Sequence, residues 1–236
     1  MNEIRMLLYV LGIILLPVIF FYVLYYVSMY VFSLLSISYK KGLLLTFFSL
    51  GATFFPSMLL PVSDQIYLFS IGSWQISIHP IGFVFPVLIS ISLLYKSKAN
   101  WQFLLLGLIP VSFMAFLMTT PVLEKGIIAP FPLWLFPPFM AAVISVSNKD
   151  RLNHSPCLYA FSLGVFGVIL GADVAHFPEL LSYSVSSSMH AVIGGASGFD
   201  LIFLSGMASV IFTKLFLFFL ETINEVQFLK KIQVNM

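Results

Sequence analysis

Long runs of apolar residues recur along the chain and constrain its fold more than any other feature. A helix needs about 20 apolar residues to cross the roughly 30 Å hydrocarbon core of a bilayer. Seven runs approach or exceed that length, at residues 6–35, 42–60, 81–95, 102–118, 131–146, 158–176 and 199–223. The pattern predicts an all-α integral membrane protein, a bundle of about seven transmembrane helices in one polytopic domain covering residues 1–236.

The composition excludes several other classes of protein. Only 8% of the residues are charged and 60% are apolar, whereas soluble domains carry about 25% charged residues. A net charge of +2 is too small for a nucleic-acid footprint, and the single cysteine allows no intramolecular disulfide. We therefore expect a multi-pass protein of the cell membrane whose partner is the lipid bilayer. Association with a second copy or with another membrane subunit stays open.

The positions of the basic residues predict the orientation of the chain. Seven spans would leave eight segments that alternate between the two sides of the membrane. One side then holds only Arg5 and Lys125. The other side holds Lys40, Lys41, Lys96, Lys98, Lys149, Arg151, Lys230 and Lys231. Because basic residues are enriched on the cytoplasmic side, we expect the N-terminus outside and the C-terminus inside.

The segment at residues 63–80 has a different pattern from its neighbours. Two short runs rich in residues that favour strands, IYLF at 66–69 and QISI at 75–78, flank Gly72 and Ser73. Such a pattern around a Gly-containing turn predicts a β-hairpin. With the orientation above, this short hairpin would be external.

Ionisable residues in the last two predicted spans indicate a site. Asp173 and His176 are three residues apart and would share one face of the sixth span. Asp200 stands at the start of the seventh span, where it is also a candidate helix cap. Charged groups at membrane depth cost several kcal/mol and usually face a protein interior or an aqueous cavity. We expect an outward-facing binding site formed by Asp173, His176 and Asp200, with His190 or His79.

Two groups of glycines accompany these residues. Gly167 and Gly171 lie on the face of the sixth span opposite Asp173, at a spacing that lets another backbone approach closely. Gly194, Gly195 and Gly198 precede Asp200. Glycines at the start of a helix permit close backbone approach, and the free N–H groups there can receive an anion or a carbonyl oxygen.

Three stretches resemble a prokaryotic family of multi-spanning membrane proteins known as domain of unknown function sixteen-fourteen. They are IHPIGFVFP at 78–86, GADVAH at 171–176 and IGGASGFD at 193–200. The corresponding family patterns are roughly I-N-x-G-G-A-x-x-P, L-A-D-x-x-H and G-G-A-G-x-F-D. This chain departs at His79, where relatives have Asn, and at Ile81, where they have Gly. The resemblance implies a relationship but carries no established activity.

Two chemical hypotheses use Asp173 and Asp200. In the first, the site binds or translocates a cation, a proton or a small solute. The sequence names no cofactor, although Asp173, His176 and Asp200 are donors that would suit a divalent metal ion. In the second, Asp173 and Asp200 are the catalytic pair of a presenilin-like intramembrane aspartyl protease, which requires two carboxyl groups sharing a proton. The G-x-G-D motif of that class is absent, because Gly198 is separated from Asp200 by Phe199.

Two further interpretations compete with these hypotheses. Ser197 lies in a G-x-S-G match typical of rhomboid-type serine proteases, but no histidine follows it to act as base. Alternatively, the polar cluster only ties the spans together, and the chain has a structural or assembly role without catalysis. Whether the chain is an enzyme stays open, and binding or translocation is favoured over proteolysis.

Overall fold

The computed structural model describes residues 3–54, 65–123, 125–152, 155–183, 188–196 and 200–234, and the chain is mostly helical, at 74%. Contacts divide it into two compact units, residues 1–48 and 49–236. Within the described residues, four helices are long and apolar enough to cross a membrane. They are Leu11–Leu34, Trp101–Met118, Pro156–Ser182 and Leu201–Ile223. The chain therefore has the character of a membrane protein.

The first unit consists of a long helix and the beginning of a second. Helix α1 covers Glu3–Leu34, and helix α2 covers Tyr39–Phe54. Near the turn between them Val31, Phe32 and Leu35 are buried. Pro56, which falls inside the predicted second span at residues 42–60, lies outside the described residues.

The second unit is built around one buried helix. Helices α3 (Phe85–Lys96), α4 (Trp101–Met118), α5 (Phe136–Ser147), α6 (Pro156–Val168), α7 (Ala175–Ser182) and α8 (Leu201–Val234) form its helical part. Helix α6 contacts α3, α4, α5 and α8, and 72% of the Pro156–Ser182 window is buried. A π-helical segment, Ile169–Val174, joins α6 to α7 so that the two form the predicted sixth span.

Helix α4 shows why one face packs inward and the other does not. Its buried residues Leu104, Gly107, Val111 and Ala115 follow the three-to-four-residue spacing of a single helical face. Its other face exposes large apolar side chains, as expected of a helix that contacts lipid: Leu105, Leu106, Ile109, Phe113 and Leu117. Helix α4 begins at Asn100, whose side chain accepts a hydrogen bond from the Phe103 N–H.

The third and fifth predicted spans form short apolar helices, and their prolines explain where the helices begin. The apolar helical segments Pro80–Lys96 and Leu133–Ser147 are below the length of a candidate span. Pro86 and Pro137-Pro138, which fall inside the predicted third and fifth spans at residues 81–95 and 131–146, lie in the first turns of α3 and α5. Proline is tolerated there because first-turn N–H groups have no intrahelical partner. A π-helical turn, Pro80–Val84, precedes α3.

The structure contains more β-strands than the sequence predicts. Strands β1 (Ile66–Ile71) and β2 (Trp74–Ile78) form the predicted antiparallel hairpin around Gly72, which has a φ of +57°. Strands β3 (Thr120–Val122) and β4 (Gly126–Ile128) form a second hairpin, and β5 (Met189–Ile193) pairs with β2 in parallel. The prediction of an all-α fold with one hairpin was therefore incomplete, because β3 and β4 are only three residues long and β5 forms by pairing with β2, which is distant in sequence.

Candidate functional site

A cavity of about 350 Å³ lies between the small sheets and the last two long helices of the second unit. The π-helical segment before α7 forms one wall, and strand β5 with the turn after it forms another. The β3–β4 hairpin contributes a third wall. The ionisable side chains that line the cavity within the described residues are Lys125, Asp173, His190 and Asp200.

Asp173 lies on the π-helical segment, half-buried at the cavity wall. Single π-helical turns within α-helices are rare and occur frequently at functional sites. Within the described part of the chain, the Asp173 carboxyl group forms no hydrogen bond and no ion pair. Its charge and that of Asp200 are close enough to interact electrostatically. Asp173 is therefore an acidic group in an apolar span whose polar partner is not supplied by the described residues.

Asp200 both caps a helix and lines the cavity. Its Oδ1 accepts a hydrogen bond from the Ile202 N–H over 3.0 Å, which is the geometry of an N-cap of α8. Its Oδ2 accepts one from the Ala196 N–H over 3.2 Å and so fixes the turn after β5. Burial raises the pKa of the Asp200 carboxyl above its ordinary value of 3.8, although both N–H groups oppose this by stabilising the charged form.

His176 is not among the residues that line the cavity. Its side chain is buried, and its Nε2 donates to the Phe116 carbonyl oxygen over 3.1 Å. Its Nδ1 lies 3.3 Å from Oε2 of Glu179, and its ring stacks on the Phe116 ring with centroids 4.5 Å apart. Because carbonyl and carboxylate oxygens only accept, both bonds form together when both ring nitrogens carry hydrogens. The hydrogen bond from His176 to Phe116 thus connects α7 to the C-terminal end of α4.

The remaining two candidate histidines have different positions. His79 is buried and caps the π-helical turn Pro80–Val84, since its Nδ1 accepts from the N–H groups of Ile81 and Gly82, each over 3.2 Å. It is not among the residues that line the cavity. His190, on β5, is exposed and lines the cavity beside Asp173 and Asp200.

The glycines allow close packing around the cavity. A Cβ at Gly171 would overlap the Ser112 carbonyl oxygen, and one at Gly167 would overlap the Val111 side chain, both on α4. Gly194 has a φ of +77°, and a Cβ there would lie 2.6 Å from the Phe83 nitrogen. Gly195 lines the cavity. Gly198, like Ser197, lies outside the described residues.

Two of the lining residues that the sequence analysis did not select, Lys125 and Trp74, carry polar groups in their side chains. Lys125 is exposed on the turn between β3 and β4, and its position as one of two basic residues on the predicted outer side was an available signal. Trp74 is only 5% exposed, and its indole N–H has no hydrogen-bond acceptor among the residues that the structure describes. Nothing in the local sequence around Trp74 distinguishes it from an ordinary core residue.

The described residues contain no group of three His, Cys, Asp or Glu side chains placed to hold a metal ion. Asp173 and Asp200 line the same cavity, whereas the His176 ring bonds to Phe116 and Glu179.

Comparison with known families places these observations in context. A family described as protein of unknown function (DUF1614) matches residues 71–212, which is more than half of the chain. The chain belongs to this family. No curated protein and no solved structure matches it. The DUF1614 match includes every residue that lines the cavity, from Trp74 to Asp200, and begins after the first structural unit.

Proposed function

We propose that this membrane protein binds, or moves across the membrane, a cation, a proton or a small solute at the cavity lined by Asp173, Asp200 and His190. One observation carries the proposal: Asp173 stands in an apolar span, lines the cavity and has no hydrogen-bond or ionic partner among the described residues. An unpaired carboxyl group at membrane depth is costly unless water or a ligand satisfies it.

The proposed setting is a bundle of seven spans with the N-terminus outside, the C-terminus inside and the cavity opening outward. The alternation of basic residues along the sequence supports this orientation. The two shorter apolar helices, Pro80–Lys96 and Leu133–Ser147, would complete the bundle together with α2. Helices of this length fit where the bilayer thins or where flanking residues reach the interface.

Cysteine labelling tests this setting, because Cys157 is the only native cysteine and is buried. In a Cys157→Ala background, Lys125→Cys should react with a membrane-impermeant maleimide added to intact cells. Lys149→Cys, in a segment predicted to be cytoplasmic, should react only after the membrane is permeabilised. The reverse result would contradict the proposed orientation.

Separate Asp173→Asn and Asp200→Asn variants test the binding site. Binding of n-butylammonium and of Mn²⁺ to the purified full-length protein is measured by calorimetry, and uptake of each is measured in proteoliposomes. We expect Asp173→Asn to weaken binding of the preferred cation by about tenfold or more, since it removes the unpaired charge. Asp150→Asn, at an exposed position outside the cavity lining, is the matched control.

The outcomes of this experiment separate three roles. Uptake that depends on Asp173 indicates translocation, and binding without uptake indicates a receptor or a storage site. If neither aspartate variant changes binding, uptake or growth while the protein still inserts, the structural or assembly role is favoured and the proposal fails.

The second candidate function is an intramembrane aspartyl protease. Its support is that Asp173 and Asp200 line one cavity and that their charges interact. Against it, no hydrogen bond joins the two carboxyl groups, and both oxygens of Asp200 already accept from backbone N–H groups. A catalytic pair would need the two carboxyls to share a proton. Cleavage of a membrane-spanning reporter that is abolished by each Asp→Asn change would favour this candidate.

A further inference from the structure

The free edge of strand β5 lies in the wall of the cavity that holds the two aspartates. Strand β5 is at the end of the three-stranded sheet, in the order β1–β2–β5, so only one of its edges is paired within the described residues. All five of its residues line the cavity, as do the next three, Gly194 to Ala196. A sheet edge in such a place offers main-chain donors and acceptors to whatever enters the cavity.

The register identifies which backbone groups are unpaired. The Met189 N–H donates to the Ser73 carbonyl oxygen, and the Ile193 carbonyl oxygen accepts from the His79 N–H. Because successive residues of a strand direct their N–H and C=O groups to opposite edges, Met189, Ala191 and Ile193 face β2. The N–H and C=O groups of His190 and Val192 therefore face away from β2. Neither residue's backbone has another hydrogen-bond partner in the described part of the chain.

A second edge borders the same cavity. Strand β4 pairs with β3 so that Ile127 is opposite Pro121. Proline has no N–H, so this is a non-hydrogen-bonded pair, and the N–H and C=O of Ile127 point away from β3. Ile127 and Gly126 line the cavity. Two strand edges thus border the cavity, and their outward backbone N–H and C=O groups have no partner among the described residues. The same cavity also contains carboxyl groups.

We infer that the ligand of this cavity is a short peptide in extended conformation, which adds as a strand to the free edge of β5 and places a positive charge beside Asp173 and Asp200. Main-chain hydrogen bonds to His190 and Val192 would give affinity whatever the amino-acid sequence of the peptide, as in other cases of strand addition. The carboxyl groups would select a basic side chain or an N-terminal ammonium. About three residues, at roughly 3.3 Å each, are enough to engage both edge residues.

This inference rests on the proposed function, because it names the chemical class of the solute bound at the same carboxyl groups. It adds a requirement that a simple cation does not have, which is a row of backbone N–H and C=O groups. Charge and backbone can therefore be removed independently in an experiment.

The probe is the tripeptide acetyl-Ala-Lys-Ala-amide, titrated by calorimetry into the purified full-length protein. The first control is the same peptide methylated at its backbone nitrogens, which keeps its charge but cannot donate to a strand. The second control is n-butylammonium, which carries the charge of the lysine side chain without a backbone. We expect the methylated peptide to bind about tenfold more weakly than the tripeptide, the effect of losing one or two hydrogen bonds.

Variants of the protein also separate the contribution of charge from that of backbone hydrogen bonds. Val192→Pro removes an N–H from the free edge and none from the β2–β5 pairing, whereas Val192→Ala keeps it. Val192→Pro should weaken binding of the tripeptide about tenfold and leave n-butylammonium binding unchanged, which also shows that the cavity is intact. Asp173→Asn should weaken the binding of both the tripeptide and n-butylammonium.

The possible failures are distinguishable. Equal affinities for the tripeptide and its methylated analogue, or binding of n-butylammonium alone, would overturn the peptide inference and leave the proposed cation site standing. If neither ligand binds and Asp173→Asn changes nothing, the inference and the proposed function fail together.

Discussion

The backbone N–H of His79 donates to the carbonyl oxygen of Ile193 over 2.9 Å. This bond continues the β2–β5 pairing past Ile78 and leads directly into the π-helical turn that the His79 side chain caps. It joins the first and the third of the stretches that resemble the family, although more than a hundred residues separate them in the sequence. The second stretch contributes Asp173 to the cavity that the third stretch also lines.

Replacement of Gly194 tests the packing of these two stretches. Gly194→Ala should lower the thermal stability of the protein, because the new Cβ would lie 2.6 Å from the Phe83 nitrogen and 2.7 Å from the Gly82 carbonyl carbon. Gly72→Ala is the control, since Gly72 also has a positive φ but no atom within 4 Å of an added Cβ. We expect Gly194→Ala to cost about 1–3 kcal/mol more than Gly72→Ala. Equal losses would show that only backbone strain matters.

Burial of Asp200 predicts a pH dependence of stability. The pKa of this carboxyl is raised in the folded protein, so the folded state binds the proton more tightly than the unfolded state. The resulting stabilisation is complete below the ordinary pKa of 3.8 and is lost as the pH rises through the raised value. Asp200→Asn removes this titration and can still cap α8, because Asn is also a favoured N-cap.

Thermal unfolding of wild type and Asp200→Asn, compared from about pH 4 to about pH 8, measures this effect. The stability of the variant relative to wild type should increase with pH. Because the charge of Asp173 interacts with that of Asp200, the comparison is repeated in an Asp173→Asn background, where only the Asp200 carboxyl differs between the two proteins. A difference that is constant with pH, or that falls, would contradict the assignment.

The close contact between the π-helical segment Ile169–Val174 and α4 predicts a strong effect at Gly171. Gly171→Ala should destabilise the protein by about 1–3 kcal/mol, because the added methyl group would overlap the Ser112 carbonyl oxygen and approach Ala115. Gly12→Ala in α1 is the control, since nothing lies within 4 Å of its added Cβ. There the change should be neutral or stabilising, because alanine is the better helix former. Thermal unfolding in one detergent compares the two variants.

The apolar runs predict the long helices well, because each long helix needs only its own sequence to satisfy its backbone. The hairpin around Gly72 is equally local and was predicted for the same reason. Strand β5 forms by pairing with β2, which is distant in sequence, and its five residues carry no turn signal that would identify them as a strand. Pro137 and Pro138 fall inside the predicted fifth span but lie in the first turn of α5, because a sequence does not show where a helix begins.

The candidate site was predictable to a similar extent. Asp173 and Asp200 stand out because acidic residues are costly in apolar spans, and both line the cavity. His176 has the same sequence signal as Asp173, since it lies one helical turn away, yet its ring bonds to Phe116 and Glu179. Asp173 and His176 have different surroundings because of the π-helical segment and the end of α4. Neither is visible as a pattern in the sequence.

His176 provides the last prediction, which separates a positioning residue from a ligand-binding one. His176→Gln removes the stacked ring and one of two hydrogen bonds from a buried site, so it should cost about 1–3 kcal/mol of stability. Glu179→Gln removes only an exposed partner and should cost less than about 1 kcal/mol. Binding of n-butylammonium should be unchanged in both variants, since neither side chain lines the cavity. Loss of that binding in a His176→Gln protein that remains folded would place His176 at the ligand, and would restore the original grouping of Asp173, His176 and Asp200.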